Sequence, residues 1–413
     1  MSLDVHSDEA RDEAWLSIVG LGADGVSGLS PAMRAAIERA ELVAGSRRQL
    51  ALVESLVHRD RLVWPSPLSE GIASILARRG RPTCVLASGD PFFFGIGATL
   101  APQLQRGEFV CLPAASSLSL AAAKLGWPLQ DTEIVSLHGR ELQQIVRYLQ
   151  PGRRVLALAW DHTTAAQLAA LLCERGFGAS ILHVLEVLGG ATERVRSCLA
   201  RDFALRDIAD LNILALEVEA EPGALIIPCR ASLPDSAFEH DGQLTKQDIR
   251  ALTLSALSPH AGARLWDVGA GAGSIAIEWM LSHPACQAIA IEREPARCER
   301  IARNAARLGV PTLAVVQAEA PSGLANLPTP DAIFIGGGAG DPALFEHCWR
   351  ALPVGGRLVM NAVSLQTEAL MLGWYAAQGG ELLRLSIQRA DALGSMTGWR
   401  PALPVTQWKV VKA

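Results

Sequence analysis

Aromatic residues are scarce, 5% of the 413-residue chain, which argues against the stacked-ring platform that holds single-stranded nucleic acid. A basic excess is also missing. Lys plus Arg number 37 against 42 Asp plus Glu, for a net charge of −5 and a pI near 6.0, so nucleic acid is not an expected partner. An anionic small molecule would need a local basic rim. The eight cysteines (Cys84, Cys111, Cys173, Cys198, Cys229, Cys286, Cys298 and Cys348) include no CxxC spacing, and the nine histidines form neither HxH nor HExxH. No bound metal is therefore expected, and the thiols read as buried and inert in a reducing cytoplasm. No apolar run reaches the ~18 residues of a membrane span. The opening MSLDVHSDEARDEAW carries acids where a signal peptide needs bases and an apolar core. Residues 1–13 read as a polar, frayed end.

What is present is globular. Hydrophobic residues make up 50% and charged residues 19%, a balance that excludes a disordered chain. At ~100–200 residues per domain the length allows two or three domains. From Trp15 short β-rich runs (WLSIVG, LVAG, TCVLASG, RVLALAW, SILHVLEV) alternate with helical stretches, and Ser30 caps a helix with Pro31 at its first position. This alternation predicts a mostly parallel sheet, closed by NILALEVEA. Glu219–Gly242 carries three prolines and no helical period, which places the boundary there and gives domains 14–219 and 232–413. Beyond it, Thr245 is expected to cap a helix with Asp248 at the capping-box position. Seven strands then read RLWDV, QAIAIE, TLAVVQ, DAIFIG, GRLVMNA, ELLRLSIQRA and PVTQWKVVK, a doubly wound sheet whose last strand is antiparallel.

The clearest motif is RLWDVGAGAGSIAIEWM, where a strand ends at Asp267 and Gly269, Ala270, Gly271, Ala272 and Gly273 lead into a helix. Glycines admit a ligand to the backbone, and a helix N-terminus offers free N–H groups. A dinucleotide fingerprint would need glycine at 274, where Ser274 stands. The G-x-G-x-G form with Glu292 at the end of the next strand favours S-adenosylmethionine, the acid accepting the ribose hydroxyl protons. Gly20, Gly22 and Gly25 match G-x-G-x-x-G, but the helix begins only at Ser30–Pro31, too late for a dinucleotide site. ASGDPFFFGIG follows the strand TCVLA. From spacing alone it is open between a ligand loop and a plain turn.

ASGDPFFFGIG and the following LPAASSLSLAAAKLGWP resemble the tetrapyrrole methylase family, and SLHGR, LGGATERV and DLNILALE resemble its C5-methylating branch in corrin synthesis. The second half, from PDSAFEHDGQLTKQDIR through the glycine loop, DAIFIGGG and GRLVMNAVSLQTE, is similar to the decarboxylating C15-methylating enzymes of that pathway. The resemblance implies a two-lobed tetrapyrrole methylase-like α/β domain fused to a Rossmann-like seven-stranded methyltransferase domain. It implies S-adenosylmethionine as methyl donor, methylation of C5 and C15 of a reduced precorrin-6, and loss of CO2 from the C12 acetate to give precorrin-8. Carried over residue by residue, the C-half donor site would include Thr245 and Ala320 besides the glycine loop and Glu292. Gly336, Gly337 and Gly338 would border the substrate mouth. In the N half the donor site would comprise Gly89, Asp90, Pro91, Gly95, Ser116 and Ser117.

Methyl transfer from a sulfonium needs alignment and a dry pocket more than acid–base machinery, and no Ser–His or paired-acid set is visible. No catalytic residue is assigned. Substrate carboxylates call for basic residues, for which Arg384, Arg389, Arg400, His138 and Arg140 are candidates. The expected partners are a precorrin and further copies of the chain in a homo-oligomer, with neither nucleic acid nor membrane. Two other classes are alternatives. A nicotinamide-dependent oxidoreductase would use Gly20–Gly25 and Glu41, and a non-catalytic tetrapyrrole-binding scaffold would need no complete donor pocket.

Overall fold

The computed structural model describes residues 14–229 and 233–413. The frayed end expected over residues 1–13 and the domain start at Ser232 lie outside them. The chain divides into two compact units, one of residues up to 140 with 151–224, the other of residues 141–150 with 225–413.

The first unit contains β1 (Leu16–Leu21), β2 (Leu42–Gly45), β3 (Asp60–Val63), β4 (Thr83–Ser88) and β5 (Phe109–Leu112) in a parallel sheet of order β3-β2-β4-β1-β5. As the sequence predicts, Ser30 caps the helix Pro31–Arg39, its hydroxyl accepting from the N–H of Met33 at 3.3 Å. A second sheet, β6-β7-β10-β8-β9, comprises β6 (Thr132–Ser136), β7 (Arg154–Leu158), β8 (Ile181–Glu186), β9 (Arg194–Leu199) and β10 (Asn212–Glu217). Here the expectation of a mostly parallel sheet fails. Only β6 and β7 run parallel, and the other pairings are antiparallel. For β8 and β9 the short link is the reason, because a parallel return needs a crossover of roughly a dozen residues or more.

The second unit holds a seven-stranded sheet. Its strands are β11 (Arg264–Val268), β12 (Gln287–Glu292), β13 (Ala314–Gln317), β14 (Ala332–Ile335), β15 (Arg357–Ala362), β16 (Glu381–Leu385) and β19 (Val405–Val411), in the order β13-β12-β11-β14-β15-β19-β16. The last strand, β19, is antiparallel to both neighbours, as expected. The run ELLRLSIQRA is not one strand. β16 stops at Leu385, and β17 (Gln388–Leu393) pairs with β18 (Met396–Pro401) in a separate hairpin, whose base is tied by the N–H of Ala402 to the carbonyl of Ile387 at 2.9 Å. The core packs Val268, Ile291, Ile333, Ile335, Leu358, Met360 and Trp408, each fully buried apolar side chain contributing about 1.5–3 kcal/mol. Phe345 stacks on Trp374 with ring centroids 4.2 Å apart.

Residues 141–150 join this unit through hydrogen bonds. Arg147 donates to the carbonyl of Leu281 at 3.2 Å, and Gln150 to that of Ile227 at 2.7 Å.

Candidate active site

β11 delivers the chain into the glycine loop at the C-terminal edge of the sheet, where open α/β sheets bind ligands. Gly269, Gly271 and Gly273 have φ of 72°, 59° and 77°, backbone that side-chain-bearing residues avoid. Space is short as well. A Cβ at Gly269 would lie 2.6 Å from the Cα of Gly337, and one at Gly273 2.8 Å from the side chain of Ile301. Gly273 precedes the helix Ser274–Ser282 as its N-cap.

Glu292 ends β12, and its carboxylate faces the loop. Oε2 accepts from the N–H of Gly271 at 2.9 Å, and Oε1 from those of Arg293 and Glu294 at 3.0 and 3.1 Å. A carboxylate accepts about four hydrogen bonds, so acceptor capacity remains. Asp267, at the end of β11, is 1% exposed. Its Oδ2 accepts from the N–H of Ala276 at 3.0 Å, while Oδ1 is buried without a partner. Burial pushes the Asp267 carboxyl up to about 7; the Ala276 hydrogen bond opposes this and the charge of Glu292 adds to it.

These groups line a cavity of about 820 Å³. The residues named from the sequence that border it are Thr245, Gly269, Ala270, Gly271, Glu292, Ala320, Gly336, Gly337, Gly338 and Arg389. Ala272 and Gly273 are not among its lining. Ala272 is buried, and Gly273 serves the turn. Arg384 is paired with Glu368 and Arg400 with Asp391, and neither lines the cavity. Arg389 lines it while paired with Asp248.

The cavity also receives Asp267, Lys246, Arg297, Asn361 and Leu403, which the sequence reading did not list as site residues. For Asp267 and Asn361 a signal existed, since each stands at or next to the C-terminal end of a central parallel strand. The Asn361 amide is held in a buried network: it donates to the Thr253 hydroxyl at 3.0 Å and accepts from Gln407 at 3.0 Å.

The strap before the helix Gln247–Leu257 forms one rim. Thr245 does not cap this helix, contrary to expectation. Lys246 occupies the N-cap without a side-chain bond, and the Asp235 carboxylate, from the preceding turn, accepts from the N–H of Gln247 at 2.9 Å. Thr245 is held through its carbonyl, which accepts from the Arg250 guanidinium at 2.5 Å. Arg250 is fully buried and pairs with Glu278 at 2.6 Å and Asp235 at 3.2 Å. Farther along the strap, Asp241 pairs with Arg297 and Arg300 at 2.9 and 3.0 Å. The Arg300 and Arg297 contacts hold its carboxyl well below the usual carboxylate range.

In the first unit three strand ends meet. A Cβ at Gly20 would lie 2.1 Å from the carbonyl oxygen of Gly89, and one at Gly89 2.8 Å from the Cα of Ser116. The loop after β4 is folded by Asp90, whose Oδ1 accepts from the N–H of Phe92 at 2.8 Å, and by the Pro91 carbonyl, which accepts from Gly97 at 2.9 Å. Gly95 packs against Pro91. Ser116 caps the helix Ser117–Leu125, accepting from the N–H of Ser119 at 3.0 Å. Gly89, Asp90, Ser116 and Ser117 thus gather at the sheet's C-terminal edge. Gly25 begins a 3-10 turn (Gly25–Gly28) and the next helix starts at Pro31, as the argument against a dinucleotide site requires.

Cys84, Cys286 and Cys348 are buried, Cys111, Cys198 and Cys298 half-buried, and Cys173 and Cys229 exposed, so the expectation of uniformly buried thiols holds for only three of the eight. Cys173 lies in the last turn of the helix Thr164–Glu174, and Cys229 lies outside helices and strands near the start of the second unit. Among the described residues no cluster of His, Cys, Asp and Glu could hold a metal, and no helix is long and apolar enough to cross a membrane.

Residues 16–204 match the family described as Tetrapyrrole (Corrin/Porphyrin) Methylases, and residues 236–412 the Precorrin methyltransferase domain. Fold and glycine loops together therefore define a methyltransferase. A precorrin-6Y C(5,15)-methyltransferase [decarboxylating] of Sinorhizobium sp is 52% identical over 407 residues, 98% of each chain. One of Mycobacterium tuberculosis is 43% identical over 398 residues, 96% of this chain and 99% of its own. A cobalt-precorrin-6B C(15)-methyltransferase (decarboxylating) of Salmonella typhimurium is 34% identical over 166 residues, 39% of this chain and 85% of its own. The chain belongs to the family of precorrin-6Y C(5,15)-methyltransferases (decarboxylating).

Proposed function

We propose that this chain is a bifunctional, S-adenosylmethionine-dependent enzyme of cobalamin biosynthesis. It methylates C5 and C15 of a reduced precorrin-6 and removes the C12 acetate carboxyl as CO2, giving precorrin-8. The first unit, a two-lobed tetrapyrrole methylase-like domain, takes C5. The second, Rossmann-like unit takes C15 and the decarboxylation. The existence of a shorter relative named for C15 methylation with decarboxylation supports this division.

The observation that carries the reading is the cavity of the second unit. It brings together the Gly269–Gly271 backbone, Glu292, Gly336–Gly338, Asn361 and Arg389. The residues fit the donor. The glycine loop is a cradle that a Cβ would fill, Glu292 has acceptor capacity for ribose hydroxyls, and the unpartnered Oδ1 of Asp267 suits a cation. When bound, the donor supplies an already activated methyl group. The chain's own work is alignment and exclusion of water: the loop sets the donor's depth, and Thr245 and Lys246 close one rim. Lys246, Arg297 and Arg389 border the cavity and would meet substrate carboxylates by exchanging their present partners Asp235, Asp241 and Asp248. Sharing one pocket between C15 methylation and C12 decarboxylation is reasonable because both occur at one edge of the macrocycle, whereas C5 lies across it.

The test is mass spectrometry of the product formed from a reduced precorrin-6 and methyl-labelled donor. The expected product has gained two labelled methyls and lost one CO2. An unchanged substrate, with the donor bound, would refute the reading.

A further inference from the structure

An exposed group of rings beside a guanidinium and an imidazole in the first unit is not among the donor-site residues named above. β6 and β7 run parallel with Ser136 opposite Leu158, and the N–H of Leu137 still bonds the carbonyl of Leu158 at 2.9 Å. This register brings the next residues of each strand end together. His138 stacks on Trp160 with ring centroids 5.7 Å apart and planes 29° from parallel. Gly139, at φ 68°, turns the chain, and its Cβ position lies 3.4 Å from the Trp160 ring. Arg140 then sits over Phe94, 6.0 Å from the ring centroid. Phe94 follows β4, so this group spans strand ends of both sheets of the unit.

Trp160 is 57% exposed and Phe94 49%. Large aromatics left this open in a soluble fold mark a contact surface. The exposure is built in, not a frayed end: the N–H groups of Trp160 and Asp161 both donate to the Thr164 hydroxyl, at 3.1 and 3.2 Å. The two acids beside Trp160 and His162, Asp161 and Asp210, are engaged. Asp161 accepts from the N–H and hydroxyl of Thr163 at 2.8 and 2.7 Å, and Asp210 contacts His162 at 2.6 Å. The open chemistry is therefore aromatic faces beside a guanidinium and an imidazole.

We propose that His138, Arg140, Trp160 and Phe94 form the acceptor platform of the first unit, where the conjugated ring of a tetrapyrrole stacks and its peripheral carboxylates meet Arg140 and His138. Ring faces attract the macrocycle by stacking, and a guanidinium grips carboxylates in bidentate fashion. Charge complementarity selects the occupant: a polycarboxylate macrocycle is favoured over a cationic or neutral one. The inference rests on the reading that this unit methylates C5, and adds the residues that hold the acceptor.

The test uses the full-length protein with Trp160→Leu, Trp160→Phe and Arg140→Gln. Acceptor KM is measured for the C5 step alone, on an acceptor already methylated at C15 and decarboxylated. Binding is measured with uroporphyrin III as a stable polycarboxylate probe and with a tetracationic porphyrin as control. Trp160→Leu and Arg140→Gln are expected to raise the acceptor KM about tenfold or more with kcat changed less than threefold. Donor affinity and melting temperature stay at wild-type values, and Trp160→Phe recovers most of the KM. In wild type, uroporphyrin III binds and the cationic porphyrin does not. Wild-type KM in both Trp160→Leu and Arg140→Gln overturns the platform, as does a change in oligomeric mass without a change in KM. Porphyrin binding that depends on Trp160, in a protein that never methylates C5, would instead sink the functional reading and leave the platform standing.

Discussion

Glu292 and Gly271 are joined by a hydrogen bond of 2.9 Å from the glycine N–H to Oε2, which ties the end of β12 to the loop that follows β11. The acid expected to hold the donor's ribose thus also shapes the loop expected to hold the rest of the donor. Glu292→Ala should weaken donor binding in the second unit by about 1–3 kcal/mol, the scale of charge-assisted hydrogen bonds. Calorimetry on the full chain should show one of two donor sites weakened. Two unaltered sites in a folded variant would rule the assignment out.

Gly269→Ala adds a Cβ 2.6 Å from the Cα of Gly337, at φ 72°. Left-handed backbone costs a non-glycine residue about 1–2 kcal/mol, and the contact is with backbone that has little room to move. The expected outcome is loss of donor binding in the second unit with the first unit's site retained. Retention of both sites would reduce the loop to a tight turn.

Asp267 gives a pH dependence. Its proton is held to about pH 7 in the folded chain and lost near 4 in the unfolded chain. Its contribution to stability is full below about pH 4 and fades as pH rises to about 7. Asp267→Asn mimics the protonated form, so its melting temperature should gain on wild type from pH 4 to 7 and level off above. Donor affinity should move the other way: in wild type it rises through pH 7 as the carboxylate forms beside the cationic donor, and in Asp267→Asn it stays flat. Parallel pH profiles for the two proteins would contradict this.

The buried pair Arg250–Glu278, at 2.6 Å, anchors the strap that carries Thr245. Stranding a buried charge completely costs about 3–5 kcal/mol. Without Glu278, Arg250 loses its nearest carboxylate and keeps only the more exposed Asp235 at 3.2 Å, so the cost falls at the lower end of that range. Glu278→Leu should therefore lower the denaturant midpoint strongly. The double variant Glu278→Leu with Arg250→Met should be more stable than the single, although the carbonyls of Thr245 and Leu233 lose their donor. Equal midpoints for single and double variants would show that lost carbonyl bonds, not the stranded charge, dominate.

The division of labour can be read in the intact chain. Glu292→Ala combined with Gly269→Ala should abolish C15 methylation and CO2 release, while C5 methylation of a supplied decarboxylated acceptor continues. CO2 release persisting in this variant, by mass spectrometry, would show that the decarboxylation does not depend on donor bound in the second unit.

Much of the second unit was legible from local pattern. The glycines at 269, 271 and 273 and the acid at 292 are signals carried by a few neighbouring residues, and strand ends in a parallel sheet collect at one edge whatever the packing above them. The helix start was misassigned for the opposite reason. The capping acceptor is Asp235, a dozen residues away in sequence and close only after the strap folds back onto Arg250. The hairpin β17–β18 escaped notice because ELLRLSIQRA alternates as a single strand would, and only pairing partners reveal the break after Leu385.

The sequence by itself determined the α/β alternation, the antiparallel last strand and the glycine loops, because glycine and strand ends obey short-range steric and hydrogen-bonding rules. Only the tertiary structure decided that the second sheet of the first unit is largely antiparallel, that Arg389 reaches the cavity while Arg384 and Arg400 are held in ion pairs away from it, and that Asn361 is fixed by Thr253 and Gln407. It also decided that His138 meets Trp160. Each of these depends on which strands lie side by side and in what register, and register is set by burying whole faces at once, a long-range balance that no window of neighbouring residues contains.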